Sequence, residues 1–173
     1  MQKNIAFFDF DGTITRSDTM LELIKFNKGI VAYCFGIFIL TPWLFAMKCK
    51  LISTQKGKEK LLNYFFGNYT LEDFNKLCLN FSNKILPTLI RKDAWSCIKE
   101  HHEAKTIVVV VSASAENWVA PWCIKNNIQF VCSKLKVENN KISGCLEGLN
   151  CNGQEKINRI LSLYNPSDFD NIY

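Results

Sequence analysis

Three apolar runs along the chain have the length and composition of buried β-strands. Residues 5–10 (IAFFDF) form a short apolar run that ends in carboxylates, and residues 107–111 (IVVVV) are almost entirely β-branched. Residues 128–132 form a third run. Continuous apolar runs of this kind are typical of parallel strands that are covered on both faces. They predict a buried sheet.

Between these runs, apolar positions recur at helical spacing. The predicted helices cover residues 17–27, 58–66, 71–85, 94–105, 116–125 and 155–164, and residues 134–137 and 141–145 are predicted to form a β-hairpin. Ser17 or Asp18 is the predicted N-cap of the first helix, and Ser114 that of the helix at 116–125. A strand is predicted to start at residue 171.

The order of these elements predicts the fold class. Alternating strands and helices indicate an α/β protein whose core is a doubly wound, Rossmann-like parallel sheet, with the β-hairpin attached. Residues 15–86 contain no convincing strand pattern. We therefore expect them to form an inserted, all-helical cap, and residues 1–14 together with 87–173 to form the core.

Residues 29–47 (GIVAYCFGIFILTPWLFAM) carry no charge and are flanked by lysines on both sides. This stretch has about the length that crosses a bilayer. Because proline disfavours helix in the residue before it, the step from Thr41 to Pro42 predicts two short helices that meet near Thr41. Three interpretations stay open: a helical pair buried in the cap, a peripheral contact with a membrane surface, and a true span.

The amino-acid composition limits the structural and functional classes to which this chain can belong. Hydrophobic residues make up 48% of the 173 residues, which is enough for a packed core. The net charge is +5, and because no basic run occurs, nothing indicates nucleic-acid binding. The eight cysteines form no CxxC pair, and the N-terminus shows no signal-peptide pattern. We expect a reduced, cytoplasmic protein with buried free thiols at Cys123 and Cys132.

The segment DFDGT, residues 9–13, carries the clearest chemistry. Side chains two apart at the end of a strand point to the same side, so Asp9 and Asp11 can face one substrate. One carboxylate can attack as a nucleophile while the other moves protons. Gly12 permits a sharp turn close to a ligand, and Thr13 adds a hydroxyl.

A second polar group follows the strand at 107–111. Ser112, Ala113 and Ser114 come where open α/β sheets place their sites, at the carboxyl end of a parallel strand. Ser114 and the following helix N-terminus could donate hydrogen bonds to an anion. Lys156 lies near the start of the last predicted helix, where a lysine taken alone is expected to be a solvated side chain.

These three segments resemble the motifs of the haloacid dehalogenase superfamily. The first is similar to its hhhDxDGT motif, SASAENWVAPW resembles the second motif of the phosphoserine-phosphatase-like branch, and GQEKINRIL resembles the motif that carries its lysine. The resemblance implies an aspartyl-phosphate on Asp9, general acid/base catalysis by Asp11, a phosphoryl contact from Ser112, a catalytic Lys156, and Mg²⁺ held by Asp9 and Asp11. It implies that Gly12, Thr13, Asp18, Ala113 and Ser114 contact the substrate.

The fourth motif of that superfamily, GDxxxD, is missing from this chain. Asp168 and Asp170 precede the last predicted strand and are expected to be solvated turn residues. We therefore expect a Mg²⁺-dependent phosphomonoester hydrolase that binds metal weakly and turns over slowly. The alternatives are a truncated or degenerate relative that binds phosphate without catalysis, and a membrane-associated lipid-phosphate phosphatase.

The expected partner is a small phosphorylated substrate. Asp18 stands where phosphoserine phosphatases carry a glutamate, and no clear cap arginine occurs, so phosphoserine is disfavoured. The apolar stretch at 29–47 keeps a lipid phosphate open.

Three other features have plain interpretations. The adjacent His101 and His102 are expected at a solvated helix end, and Trp118 and Trp122 are expected to pack their helix onto the sheet. The alternation of lysines at 56, 58 and 60 indicates either a solvated face or a contact with a substrate anion.

Overall fold

The computed structural model describes residues 3–173 and contains one parallel sheet and one separate hairpin. The strands are β1 (Asn4–Phe8), β2 (Ile107–Ala115), β3 (Gln129–Ser133), β4 (Leu135–Glu138), β5 (Lys141–Leu146) and β6 (Asn171–Ile172). The parallel sheet has the order β3-β2-β1-β6, and β4 pairs with β5 as an antiparallel hairpin. The predicted fold class is confirmed.

Both faces of the parallel sheet are covered, which explains its β-branched strands. Val108 and Val110 pack into the larger cluster of buried side chains, and Val109 and Val111 pack with Ile5 on the other face. Since neither face meets water, the usual alternation of apolar and polar residues is absent. β2 is longer than predicted: it runs through Ser112–Ser114 to Ala115, with an irregular register against β3 after Ser112.

Within residues 3–173, seven α-helices surround or extend from this sheet. They are α1 (Thr19–Lys48), α2 (Thr54–Phe66), α3 (Leu71–Lys84), α4 (Leu86–Leu89), α5 (Lys92–Glu103), α6 (Glu116–Lys125) and α7 (Gln154–Leu163). Asp18 is the N-cap of α1, and its side chain accepts a hydrogen bond from the backbone N–H of Leu21 at 3.0 Å. The prediction of Ser114 as a helix N-cap is wrong, because α6 is preceded by Ala115 and the Ser114 hydroxyl binds elsewhere.

The predicted break near Thr41 is also wrong. Helix α1 continues through Pro42, and its irregular residue is Gly29, with φ 77° and ψ 164°. Pro42 removes a backbone donor, but the Thr41 hydroxyl donates to the carbonyl of Ile37 at 2.9 Å and supplies a local hydrogen bond in that turn. Gly29 turns the chain because glycine adopts this conformation without a Cβ clash.

The helical insertion leaves and rejoins the rest of the chain at adjacent points. The N–H of Arg16 donates to the carbonyl of Leu89, and the N–H of Arg91 donates to the carbonyl of Ile14, both at 2.9 Å. The hairpin packs on α2, with the Asn63 amide donating to the carbonyl of Ser143 at 2.8 Å. These contacts place the hairpin beside the insertion. The division into a cap at 15–86 and a core stays a prediction.

Candidate functional site

The DFDGT segment forms a tight loop directly after β1. Asp9 keeps an extended backbone, and Gly12 has φ 80°, which lets the loop close with the N–H of Thr15 bound to the carbonyl of Phe10 at 2.9 Å. β1 is paired with β2 in parallel, so Asp9 and Asp11 lie beside the carboxyl end of β2. This is the edge at which open α/β sheets bind ligands.

Asp11 is held by hydrogen bonds from two other elements. Its Oδ1 accepts from the backbone N–H and from the hydroxyl of Thr19, each at 2.7 Å. Its Oδ2 accepts from the Ser114 hydroxyl at 2.6 Å, with the Ser112 hydroxyl at 3.5 Å. Trp118 Nε1 in turn donates to the Thr19 hydroxyl at 3.0 Å. Asp11 therefore links β1, β2, α1 and α6 at one point.

Asp9 has a different environment. Lys156, in the first turn of α7, donates to Asp9 Oδ1 at 2.5 Å. The Asp9 side chain is 45% exposed, so it is open to an incoming ligand while paired to a cation. An accessible carboxylate beside a cation can act as a nucleophile, because the cation compensates negative charge. The pair Asp9–Lys156 has this arrangement.

Asp18 and Lys58 line the same pocket. Loss of hydration, and then the nearby Asp11, raise the pKa of Asp18. Loss of hydration lowers the pKa of Lys58, whose ammonium donates to the carbonyl of Ala113 and to Asn150 Oδ1 at 3.3 Å. Although Asp18 keeps accessible surface, it lies in a concavity where protein displaces much of the surrounding water. Of the three alternating lysines, Lys58 lines the pocket, whereas Lys56 and Lys60 are exposed and lie outside its lining.

The pocket has a volume of about 560 Å³ and two chemically different walls. The polar wall is formed by Asp9, Asp11, Asp18, Lys58, Ser114 and Lys156, with Ala113 among the lining residues. The apolar wall is formed by Tyr33, Ile37, Leu44, Met47 and Leu61. A ligand with an anionic end and an apolar end would match both walls.

Three of the residues expected to contact substrate or phosphoryl oxygen lie outside this lining. Gly12 and Thr13 are exposed in the loop after β1. Ser112 is buried, and its hydroxyl accepts from the N–H of Ser114 at 2.9 Å. Their roles in substrate binding stay predictions.

Sequence reasoning missed Thr19 and gave Trp118 only a packing role. Trp118 is buried as expected, but its N–H also orients Thr19, which orients Asp11. A sequence signal existed: Thr19 follows the N-cap Asp18, where a backbone N–H is free for an anion.

The other weaker candidates lie apart from the pocket. The ring of His101 packs against that of Tyr173 at an interplanar angle of 56°, with ring centroids 5.1 Å apart. Asp170 accepts from the backbone N–H of Lys3 at 2.6 Å. Asp168 lies in a short, exposed 3₁₀ turn. All eight cysteines are free, and Cys123 and Cys132 are buried; burial raises both pKa values, that of Cys123 to about 12.

The pocket lining contains carboxylates that could contact a metal ion. Asp9 and Asp11 offer the oxygen donors that Mg²⁺ prefers. Within residues 3–173, no group of three His, Cys, Asp or Glu side chains is arranged to hold a metal ion. The donors thus fit part of a Mg²⁺ coordination shell.

Comparisons with known proteins agree with this architecture. Protein CicA of Caulobacter vibrioides is 28% identical, over 94% of this chain and 73% of that protein. The crystal structure of a protein with unknown function from Bordetella pertussis Tohama I has a TM-score of 0.83 at 15% identity, covering 100% of this chain and 81% of that chain. A phospho-aspartyl intermediate analogue of phosphoserine phosphatase has a TM-score of 0.67 at 19% identity, covering 98% and 75%.

At these identities the two structures show a shared fold. The family comparison is broader: residues 6–171 match the haloacid dehalogenase-like hydrolases, a range that contains the DFDGT loop, the end of β2 and Lys156. The chain therefore belongs to the haloacid dehalogenase-like hydrolase family, with the fold of its phosphoserine-phosphatase-like branch.

Proposed function

We propose that this protein is a phosphomonoester hydrolase that works through an aspartyl-phosphate on Asp9. The observation that carries the proposal is the contrast between the two aspartates: Asp9 is accessible and paired with Lys156, whereas Asp11 is fixed beside it by Thr19 and Ser114. Family membership and the fold shared with phosphoserine phosphatase support it.

In the first step, an Asp9 oxygen attacks phosphorus and the bond from phosphorus to the ester oxygen breaks. Asp11, in its protonated form, gives its proton to the departing alcohol. In the second step, Asp11 takes a proton from water as the water attacks phosphorus, which releases phosphate and restores Asp9. Lys156 and Lys58 offset negative charge on the transferring group. Ser112 and Ser114 are proposed to donate to phosphoryl oxygens after their hydroxyls rotate.

Mg²⁺ is the proposed cofactor, held by Asp9 and Asp11. When bound, it would neutralise charge on the phosphoryl oxygens. Because the Asp9 carboxylate and the backbone carbonyl of Asp11 cover only part of an octahedral shell, we propose weak metal binding and slow turnover for residues 1–173.

Hydrolysis of p-nitrophenyl phosphate in the presence of Mg²⁺ tests the proposal. Asp9→Asn is expected to lower kcat by at least about a thousandfold, because it removes the nucleophile. Asp168→Asn is the matched control, since Asp168 is exposed and outside the pocket lining. Acid-quenched protein should retain phosphate in the parent chain and not in Asp9→Asn. Equal rates for both variants would overturn the assignment.

A second candidate is a phosphate-binding relative that does not catalyse. Lys58 and Lys156 favour it, because two cations that line the pocket can hold a phosphate anion without catalysis. It would bind inorganic phosphate in a calorimeter through Lys58 and Lys156, yet show the same negligible hydrolysis as Asp9→Asn at saturating Mg²⁺.

For the substrate, the apolar wall favours a phosphomonoester that carries an apolar group, such as a lipid phosphate. Helix α1 supplies most of that wall through Tyr33, Ile37, Leu44 and Met47. A lower KM for a short-chain lipid phosphate than for phosphoserine would support this choice. Residues 15–86 are proposed to act as the cap over the pocket, and the free cysteines support a cytoplasmic location.

A further inference from the structure

Residues 30–48 of α1, called here the outer segment, expose large apolar side chains to water. Val31, Phe35, Phe38, Ile39, Trp43 and Phe45 are between 44% and 80% exposed. Surfaces with contiguous exposed apolar side chains usually mark an interaction site. By length and composition α1 could cross a membrane. Its most apolar stretch of 18 residues has a mean hydropathy of 2.0, and only 11% of that stretch is buried.

The opposite side of the outer segment is already occupied. Gly36 and Leu40 are buried, and a Cβ on Gly36 would lie 2.3 Å from the ring of Phe65 in α2. The inner side also forms the apolar wall of the pocket. An additional partner can therefore meet only the outward side chains.

The charge bordering this face is mainly positive. Residues 23–58 contain six lysines and no Asp or Glu, so they carry a net charge of 6 − 0 = +6, against +5 for the whole chain. Lys28 lies at one end of the outer segment, with Lys48 and Lys50 at the other, and all three are exposed. Lys60 lies 4.6 Å from the ring centre of Trp43. Apolar side chains bordered by lysines complement an anionic lipid surface.

The packing on α2 decides between lying on a bilayer and crossing it. The outer segment is about 28 Å long, which is close to the thickness of the hydrocarbon core. Lys56 and Lys60 of α2 are exposed beside it. A crossing orientation would carry these lysines into hydrocarbon at a high free-energy cost, whereas an in-plane orientation leaves them at the headgroups.

We propose that the outer segment docks in the plane of an anionic bilayer, with Phe35, Phe38 and Trp43 inserted among the acyl chains. The lysines at both ends then contact lipid headgroups. Docking rests on this surface alone and does not depend on the hydrolase assignment.

Flotation with vesicles tests the proposal on the full chain. Vesicles of phosphatidylcholine mixed with phosphatidylglycerol are expected to bind the protein at least about tenfold more tightly than phosphatidylcholine alone, and added salt should weaken binding. Phe38→Glu should lower vesicle affinity by about tenfold or more. Leu163→Glu is the matched control, because Leu163 is 62% exposed on α7, away from this surface.

A second measurement uses the unmodified chain. Brominated lipids should quench the fluorescence of Trp43, which is 45% exposed, and Trp43→Phe should remove that quenching. Three results would overturn the proposal: no flotation with anionic vesicles, equal loss in Phe38→Glu and Leu163→Glu, or self-association that Phe38→Glu abolishes in a chain that does not float. The last result would make a second copy the occupant. If the unmodified chain floats with anionic vesicles but hydrolyses no phosphomonoester, only the hydrolase assignment would be overturned.

Discussion

The two parts of α1, on either side of Gly29, place their apolar side chains in opposite environments. In residues 19–28, Met20, Leu23 and Ile24 are buried, while the charged residues at positions 22, 25 and 28 keep accessible surface. In residues 30–48, apolar side chains occur on nearly every side, and only Gly36 and Leu40 are buried. The first part obtains its stability from this chain's own core. The second part requires a partner for most of its apolar surface.

Substituting one apolar residue in each part by alanine should give the largest difference in the free energy of unfolding. Leu23→Ala is expected to lower the free energy of unfolding by about 2–5 kcal/mol, because it leaves a cavity in the core. Phe35→Ala, at a position 63% exposed, should change it by less than about 0.5 kcal/mol. Urea denaturation measures both, and equal losses would show that Phe35 is covered within the chain.

Replacing one threonine by valine in each part tests whether the hydroxyl groups of the two parts contribute differently to stability. Thr19→Val removes a hydroxyl that binds Asp11 and Trp118, leaving a buried indole N–H without its acceptor. We expect a loss of about 2–4 kcal/mol and reduced activity. Thr41→Val is the control, since the exposed Thr41 hydroxyl binds only within its helix, and should cost less than about 1 kcal/mol. A neutral Thr19→Val would refute the proposed role of Thr19 in holding Asp11.

The junction itself can be tested at Gly29. A Cβ there would meet no atom within 4 Å, but φ is 77°. Gly29→Ala is therefore expected to cost about 1–2 kcal/mol through backbone strain alone. Thermal unfolding would measure this. Unchanged stability would mean that the two parts can form one straight helix.

Asp18, at the start of the first part, should give the smallest effect and one that depends on pH. The pKa of Asp18 in the folded state is raised above 3.8, so the folded protein binds this proton more tightly than the unfolded chain. Stability from this group is therefore lost as the pH rises through that folded pKa, and the penalty remains at neutral pH.

Asp18→Asn keeps an N-cap and removes the charge. It should stabilise the protein at pH 7 by less than about 1 kcal/mol, and the gain should vanish below pH 3.8. A gain that is equally large at low pH would assign the effect to the cap hydrogen bond instead of the charge.

Much of the core was predictable because its signals are local. A β-branched run identifies β2, and the DFDGT segment identifies the loop after β1, since both follow from a few adjacent residues. The order of strands and helices was sufficient for the fold class.

Features that depend on distant residues were not predictable. Ser114 has the composition of an N-cap, but its hydroxyl binds Asp11 at a sequence separation of 103 residues. Lys58 lines the pocket because of how α2 packs in the folded chain. The spacing of the lysines in the sequence does not predict this packing. Likewise, Pro42 suggested a break, whereas the chain turns at Gly29, whose permissive backbone allows either conformation.

Helix α1 also connects the loop that carries Asp11 with the exposed outer segment. Its first residue, Thr19, binds Asp11, and its far end carries the exposed lysine at position 48. A straight helix of this length would extend about 45 Å. Gly29 interrupts the helical backbone between these two points, so we expect a tilt of the outer segment to be absorbed there before it reaches Asp11. A residue with a more restricted backbone at position 29 is expected to transmit more of that tilt to Asp11.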